Sequence, residues 1–256
     1  MSRSRKILLV IANGISHLWR IIPGSLRELF ITGLYVLESR GNLKRGLGRL
    51  FLLQDKLQWV INERAMAYGN GEHPKHRLTQ YHDFFCSNIK SGDNVLDIGC
   101  GYGAVSRSIA KINPSCTIIG VDRNSERLAQ AKAKNIYSNL SYIEADVCET
   151  LPCERFNVVV LSNVLEHIDD RVGFLKSILS KTGAQVVLIR VPNFERDWTI
   201  PLRKEINVDY FSDEEHFVEH TLAELNHELR QAGLNPVTVT TLWGEIWSRC
   251  ELAPND

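Results

Sequence analysis

The sequence predicts an α/β fold in which a mostly parallel sheet is covered by helices on both faces, behind a helical N-terminal extension. Three observations lead there. From Ser91 onward, short and continuously apolar runs alternate with stretches of helical spacing, as strands buried on both faces require. A glycine-rich turn, Gly99-Cys100-Gly101-Tyr102-Gly103, joins the first run to the first helical stretch. Near the C-terminus, Val237 to Trp243 and Ile246 to Leu252 are separated only by Gly244-Glu245, a connection too short for anything but an antiparallel pair.

The 256 residues suffice for one domain plus an extension, and 44% hydrophobic with 23% charged residues is globular composition. Thirty basic residues balance thirty acidic ones, so the overall charge does not call for nucleic acid, and none is expected as a partner. Cys86, Cys100, Cys116, Cys148, Cys153 and Cys250 form no C-x-x-C pair and fit no zinc framework. They are expected as reduced thiols of a cytoplasmic protein.

Three segments are expected: an apolar and basic extension over 1–45, a helical lid over 46–90, and the main domain over 91–256. Arg3, Arg5 and Lys6 precede the apolar run Ile7 to Ala12, but no clean cleavage site follows. The apolar stretch over 7–37 is broken by Arg20, Pro23, Arg27 and Glu28, which argues against a spanning helix of about 20 residues. It reads either as helices packed on the main domain or as a peripheral membrane contact with basic residues on its polar side. Gly41 to Gly48 is the best linker candidate. Leu50, Leu53, Leu57, Val60 and Ile61 recur at helical spacing until Gly69-Asn70-Gly71, and Tyr81 to Phe85 follows as a second helix.

The main domain then runs in order. Strands are expected at Val95–Ile98, Thr117–Val121, Leu140–Ile143, Phe156–Leu161 after the breaker Pro152, and Gln185–Val191 before Pro192. Helices are expected around Ala104–Lys111 and Ser125–Asn135. Thr221 and Glu224 make a capping box for a helix carrying Leu222, Leu225 and Leu229, closed by Gly233.

The chemistry concentrates at the strand ends. The loop after Ile98 brings backbone close to a ligand, and the next helix presents free N–H groups there. Gly99-x-Gly101-x-x-Ala104 also satisfies the dinucleotide fingerprint, so an NAD(P)-dependent oxidoreductase is the first rival. Three acids argue otherwise. Asp97, two residues before Gly99, suits an amino group and would repel a pyrophosphate. Asp122 ends the second strand, where a ribose diol can be held, and Asp146 follows the third, where an adenine amino group can be read.

This pattern, from about Gly92 to Trp243, resembles the class I S-adenosylmethionine-dependent methyltransferases, in particular their small-molecule and glycan-modifying branch. Leu161-Ser162-Asn163-Val164-Leu165-Glu166-His167-Ile168 is similar to the family's segment after the fourth strand. The stretch from Asp213-Glu214-Glu215-His216 through Glu219-His220-Thr221 to Ala232-Gly233 is similar to its acceptor region. The resemblance implies a Rossmann-like seven-stranded sheet, mostly parallel with an antiparallel last strand, and S-adenosyl-L-methionine as cofactor. It implies that Asp97, Gly99, Cys100, Gly101 and Gly103 hold the methionine part, Asp122 with Arg123 beside it the ribose, and Asp146 with Val147 the adenine. Ser162 would lie near the transferred methyl, and Arg77 or His76 would reach the methionine carboxylate under a lid including Tyr81.

The expected reaction is O-methylation of a small-molecule or glycan acceptor, a lipid-linked saccharide if residues 7–37 meet a membrane. His216, His220 and His167 are the candidate bases, because imidazole titrates near neutrality. A non-catalytic scaffold is the second rival. His216-Phe217-Val218-Glu219-His220 also spells the H-x-x-E-H of some zinc proteases, but Thr221 caps the helix, so both histidines precede it. Small-RNA 3′-terminal methyltransferases of this fold use Glu-x-x-Glu-His and a distant His as metal ligands. Asn163 replaces the first glutamate, so no metal is expected.

Overall fold

The computed structural model describes residues 3–150, 154–213 and 215–253. Pro152, Cys153 and Glu214, and the side chains of Arg3 and Arg5, lie outside the described residues. The chain forms two compact units, residues 1–64 and 65–256.

The first unit is helical: α1 (Arg3–Ile21), α2 (Gly24–Glu38) and most of α3 (Leu43–Tyr68). Pro23 separates α1 from α2 because it starts a helix well and continues one badly. Trp19 meets Phe30 edge-on at 6.4 Å. Gly41 to Gly48 is not a linker. The helix begins at Leu43, Gly46 is buried inside it, and Arg49 donates to the carbonyl oxygens of Glu38 and Arg40 at 2.7 and 2.8 Å. Gly46 serves close backbone approach, since a Cβ there would lie 2.3 Å from the Ser39 carbonyl oxygen.

The second unit opens with α4 (Lys75–Thr79) and α5 (Tyr81–Ser87) and continues as alternating strands and helices. The strands are β1 (Asn94–Ile98), β2 (Thr117–Asp122), β3 (Leu140–Glu144), β4 (Val158–Ser162), β5 (Val186–Pro192), β6 (Leu234–Leu242) and β7 (Glu245–Leu252). The helices are α6 (Ala104–Ile112), α7 (Ser125–Ala133), α8 (Arg171–Thr182), α9 (Thr199–Glu205) and α10 (Leu222–Gln231). They form one seven-stranded sheet in the order β3-β2-β1-β4-β5-β7-β6. Only β7 is reversed, pairing antiparallel with both β5 and β6, as the Rossmann-like expectation has it.

The two cores explain the continuous apolar runs. Leu96, Val159, Leu161 and Ile189 face α8 and α10, meeting Leu175, Ile178, Leu225 and Leu229. Val95, Val158, Val160 and Leu188 face the other way, toward Phe85, Ile109 and Leu128. Neighbouring residues of one strand enter opposite cores, so no polar alternation survives. The Thr221–Glu224 capping box starts α10, with both reciprocal bonds formed. The hairpin turn sits one residue earlier than expected, at Trp243-Gly244, with φ of 55° and 78°. Two left-handed residues make the tight turn that matches strand twist.

Strand order reverses between β1 and β4. In open α/β sheets, the crevice at the carboxyl ends of such strands is where ligands bind.

Candidate functional site

The chain leaves β1 through Gly99 and enters α6 at Gly103, with φ of +66° and +69°. A Cβ at Gly99 would lie 2.6 Å from a Val164 methyl, and one at Gly103 would lie 2.1 Å from the Tyr142 hydroxyl. These glycines let β1, β3 and the segment after β4 converge. Asp122 ties the loop down: its carboxylate accepts from the Gly101 and Asn124 N–H groups, each at 2.8 Å. Asp97 is buried and accepts from the Ser106 hydroxyl. Burial pushes its carboxyl up to about 7, against the Ser106 hydrogen bond.

Two cavities open at these strand ends. One, of about 570 Å³, is lined by Asp97, Gly99, Cys100, Ser162, His167 and His216, among others. The second, of about 360 Å³, is lined by Gly99, Asp122, Arg123, Asp146, Val147 and Asn163, among others. They meet at Gly99, Asn163, His167 and Asp213, which line both. An elongated ligand therefore has a carboxylate at one end, Asp122 in the middle and Asp146 with Val147 at the other. Gly101 and Gly103 shape the loop without lining either cavity.

The segment after β4 brings the second set of groups. Asn163, at φ 57°, donates its N–H to the Arg190 carbonyl oxygen at 2.8 Å, and a single helical turn, Leu165–His167, follows. The N–H of Phe217 donates to the Glu166 carbonyl oxygen at 2.9 Å, which fastens the His216 loop across it. His167 and His216 rings stand edge-on at 4.5 Å, and His216 Nε2 lies 4.0 Å from a Glu166 oxygen. Both Glu166 oxygens are buried without a hydrogen-bond partner, as is Asn163 Oδ1. Burial raises the Glu166 carboxyl to about 7 and lowers the His167 imidazole.

Two expected residues are elsewhere. His220 is fully buried, lines neither cavity, and pairs with Glu228 at 3.0 Å. Its place beside the first residue of the Thr221 cap turns it under α10, so it is a core histidine and not a candidate base. Arg77 lines a different cavity, because α4 turns it away from Asp97. Arg190 on β5 lines the same cavity as Asp97, pairs with Glu245 at 3.1 Å and stacks 3.8 Å over the Tyr81 ring. Arg190 escaped the sequence reading, yet one arginine inside the apolar run Val186 to Val191 was its signal, since a buried charge needs a partner, here Glu245.

Among the described residues, Glu166, His167 and His216 form a group whose ligand atoms all lie within 4.8 Å of one another. One carboxylate and two imidazoles suit zinc or another first-row divalent ion. These donors come together without a glutamate at Asn163. The five described cysteines are unpaired.

A family described as "Methyltransferase domain" matches residues 71–239. The ubiquinone biosynthesis O-methyltransferase of Bradyrhizobium sp. (strain ORS 278) is 30% identical over 136 residues, 48% of this chain and 51% of that protein. The ribosomal protein L11 methyltransferase of Neisseria meningitidis is 30% identical over 124 residues, 48% of this chain and 40% of its own. The chain thus spans about half the length of these curated relatives. Magnesium protoporphyrin IX methyltransferase from Synechocystis PCC 6803, solved with bound SAH, shares the fold. Its TM-score is 0.55 at 16% identity, over 68% of this chain and 83% of that one. The oxidoreductase reading of the glycine loop falls with these matches. Joined to a sheet with one reversed strand and acids at three strand ends, they establish that the chain belongs to the S-adenosylmethionine-dependent methyltransferases of class I.

Proposed function

We propose that the protein methylates a hydroxyl oxygen of a small-molecule acceptor bound against Ser162, His167 and His216. The observation that carries this reading is the Glu166–His167–His216 group at the junction of the two cavities. S-adenosylmethionine, when bound, supplies a methyl on a positively charged sulfur that leaves as a neutral thioether. Asp97 takes the cofactor's ammonium, Asp122 its ribose, and Asp146 with Val147 its adenine. Arg190 is the cation at hand for the carboxylate. Alignment and exclusion of water supply much of the rate. The acceptor's hydroxyl proton passes to His216 or His167, and Glu166 steadies the imidazolium that results. The ubiquinone biosynthesis O-methyltransferases among the relatives support oxygen as the methylated atom.

A second reading rests on the unpartnered Glu166 oxygens: the same three side chains hold a divalent ion, which would supply Lewis acidity at the acceptor oxygen. One experiment separates these. With labelled S-adenosylmethionine and a panel of catechols, phenols, glycans and lipid-linked saccharides, a methyl ether is expected. Glu166→Gln should lower kcat about 10²–10⁴-fold without changing S-adenosylhomocysteine affinity. Activity that survives EDTA supports the base; activity lost and restored by a divalent ion supports the metal. Methylated nitrogen or carbon as the product would refute the proposal.

The acceptor reading extends to a lipid surface. Among the described residues no helix is long and apolar enough to cross a membrane. Yet Leu18, Leu26, Leu29, Phe30 and Leu37 of α1 and α2 are exposed, with Arg20 and Arg27 between them. Such helices lie in an anionic interface. The full chain should float with phosphatidylglycerol vesicles, and the variant Leu29→Asp/Phe30→Asp should remain below; wild-type protein left at the bottom of the gradient refutes the contact.

A further inference from the structure

A third cavity, of about 630 Å³, lies between α4, α6 and the residues that follow α7. Its lining carries Arg77, Arg107, Lys111 and Lys134, three histidines, and Glu72 as its one acid. Arg107 donates to the Tyr102 carbonyl oxygen at 2.6 Å. Arg77, Lys111 and Lys134 make no ion pair with any described residue. His82 shares a hydrogen bond with Ser108 at 2.7 Å through one ring nitrogen, and its other ring nitrogen is buried without a partner. Four cations facing one carboxylate repel one another until an anion joins them.

The cofactor does not use these charges. It carries one carboxylate and no phosphate, and Asp97, Asp122 and Asp146 open into the other two cavities. The basic cavity nevertheless adjoins the catalytic one, since His76 and Ala104 line both. Guanidinium, ammonium, imidazole and hydroxyl donors converging on one space of this size are the chemistry that holds phosphate oxygens.

We propose that this cavity binds a phosphate or diphosphate group, and, resting on the methyltransferase reading above, that the group is the anionic part of the acceptor. The acceptor then runs from the basic cavity past His76 to place its hydroxyl beside Ser162 and His216. A phosphorylated soluble compound and a lipid-linked diphosphate share this chemistry.

The test is calorimetric titration of the full chain with inorganic pyrophosphate in the presence of saturating S-adenosylhomocysteine. Saturable one-to-one binding is expected, weakened at least about tenfold by Lys111→Ala/Lys134→Ala and abolished by Lys111→Glu/Lys134→Glu. S-adenosylhomocysteine affinity should stay within about twofold in both variants, since neither lysine lines the cofactor cavities. Polyprenyl diphosphate in detergent binding more tightly than pyrophosphate assigns the anion to a lipid carrier, and equal affinity assigns it to a soluble compound. Pyrophosphate that fails to bind, or binds both variants as well as wild type, overturns the proposal. If S-adenosylhomocysteine itself fails to bind the wild type, the cofactor reading has failed, which is a separate result.

Discussion

Asp122→Ala should weaken S-adenosylhomocysteine binding at least about 100-fold while the protein stays folded. The Asp122 carboxylate accepts from Gly101 and Asn124 at 2.8 Å each and still offers lone pairs to the cavity it lines. With the ribose placed there as proposed, removing it loses charge-assisted hydrogen bonds, each worth about 1.5–3 kcal/mol. It also frees the Gly101 N–H and loosens the loop that shapes the site. Two such bonds make about 3 kcal/mol or more, hence the factor. Calorimetry on wild type and variant, beside a thermal melt, reads both halves; an affinity within threefold would sink the assignment. Asp97 gives the same titration a pH signature. Its carboxyl is raised to about 7 by burial, and in the proposed role it would pair with the ammonium only when ionised. Binding should therefore release a proton near neutrality and weaken up to about tenfold per pH unit below pH 7. Without ligand the sign reverses for stability. A raised carboxyl stabilises fully below its unfolded value, and that contribution is gone once pH has risen through about 7. The cofactor's ammonium relieves this strain.

The glycine loop and the acids at the strand ends were legible because they follow from local chain geometry. Glycines mark the loop, and acids directly after apolar strands are unusual enough to stand out. The parallel strands and the antiparallel β6–β7 hairpin likewise followed from run length and one short turn, whereas the strand order came only with the structure. The acceptor half was not legible to the same degree, because it is assembled across sequence. Glu166 and His216 are far apart in sequence and are held together by contacts such as the Phe217 backbone bond to the Glu166 carbonyl oxygen, and nothing local encodes that pairing. Arg77 and Arg190 show the same limit. Arg77 is nearer in sequence to the expected lid, yet it is Arg190, delivered by β5, that lines the same cavity as Asp97. At the N-terminus, Gly41 to Gly48 misled because glycine serves both flexible joints and close packing, and Gly46 is buried in α3.

His220 marks where a motif was read with the wrong partner, and its true partner sets the largest expected loss of stability. Glu228 accepts three hydrogen bonds from the Arg171 fork, the shortest at 2.7 Å, and one from His220 at 3.0 Å. Burial opposes its charge, yet the hydrogen bonds from His220 and Arg171 win and hold its carboxyl down at about 2. Glu228→Ala leaves a fully buried imidazole and a largely buried guanidinium without their acceptor. Breaking one member of such a network costs about 3–5 kcal/mol, or about 10 °C in melting temperature for a unit of this size. Cofactor affinity at low temperature should not change, since neither Glu228, Arg171 nor His220 lines the site. Acid supplies the control. A depressed carboxyl contributes its full stability above the unfolded value near 4.5 and loses it as pH falls through about 2. The gap between wild type and Glu228→Ala should therefore be widest at neutral pH and narrow steadily below pH 4.5. A gap that stays constant with pH would mean that Glu228 fills space under α10 and carries no functional charge there.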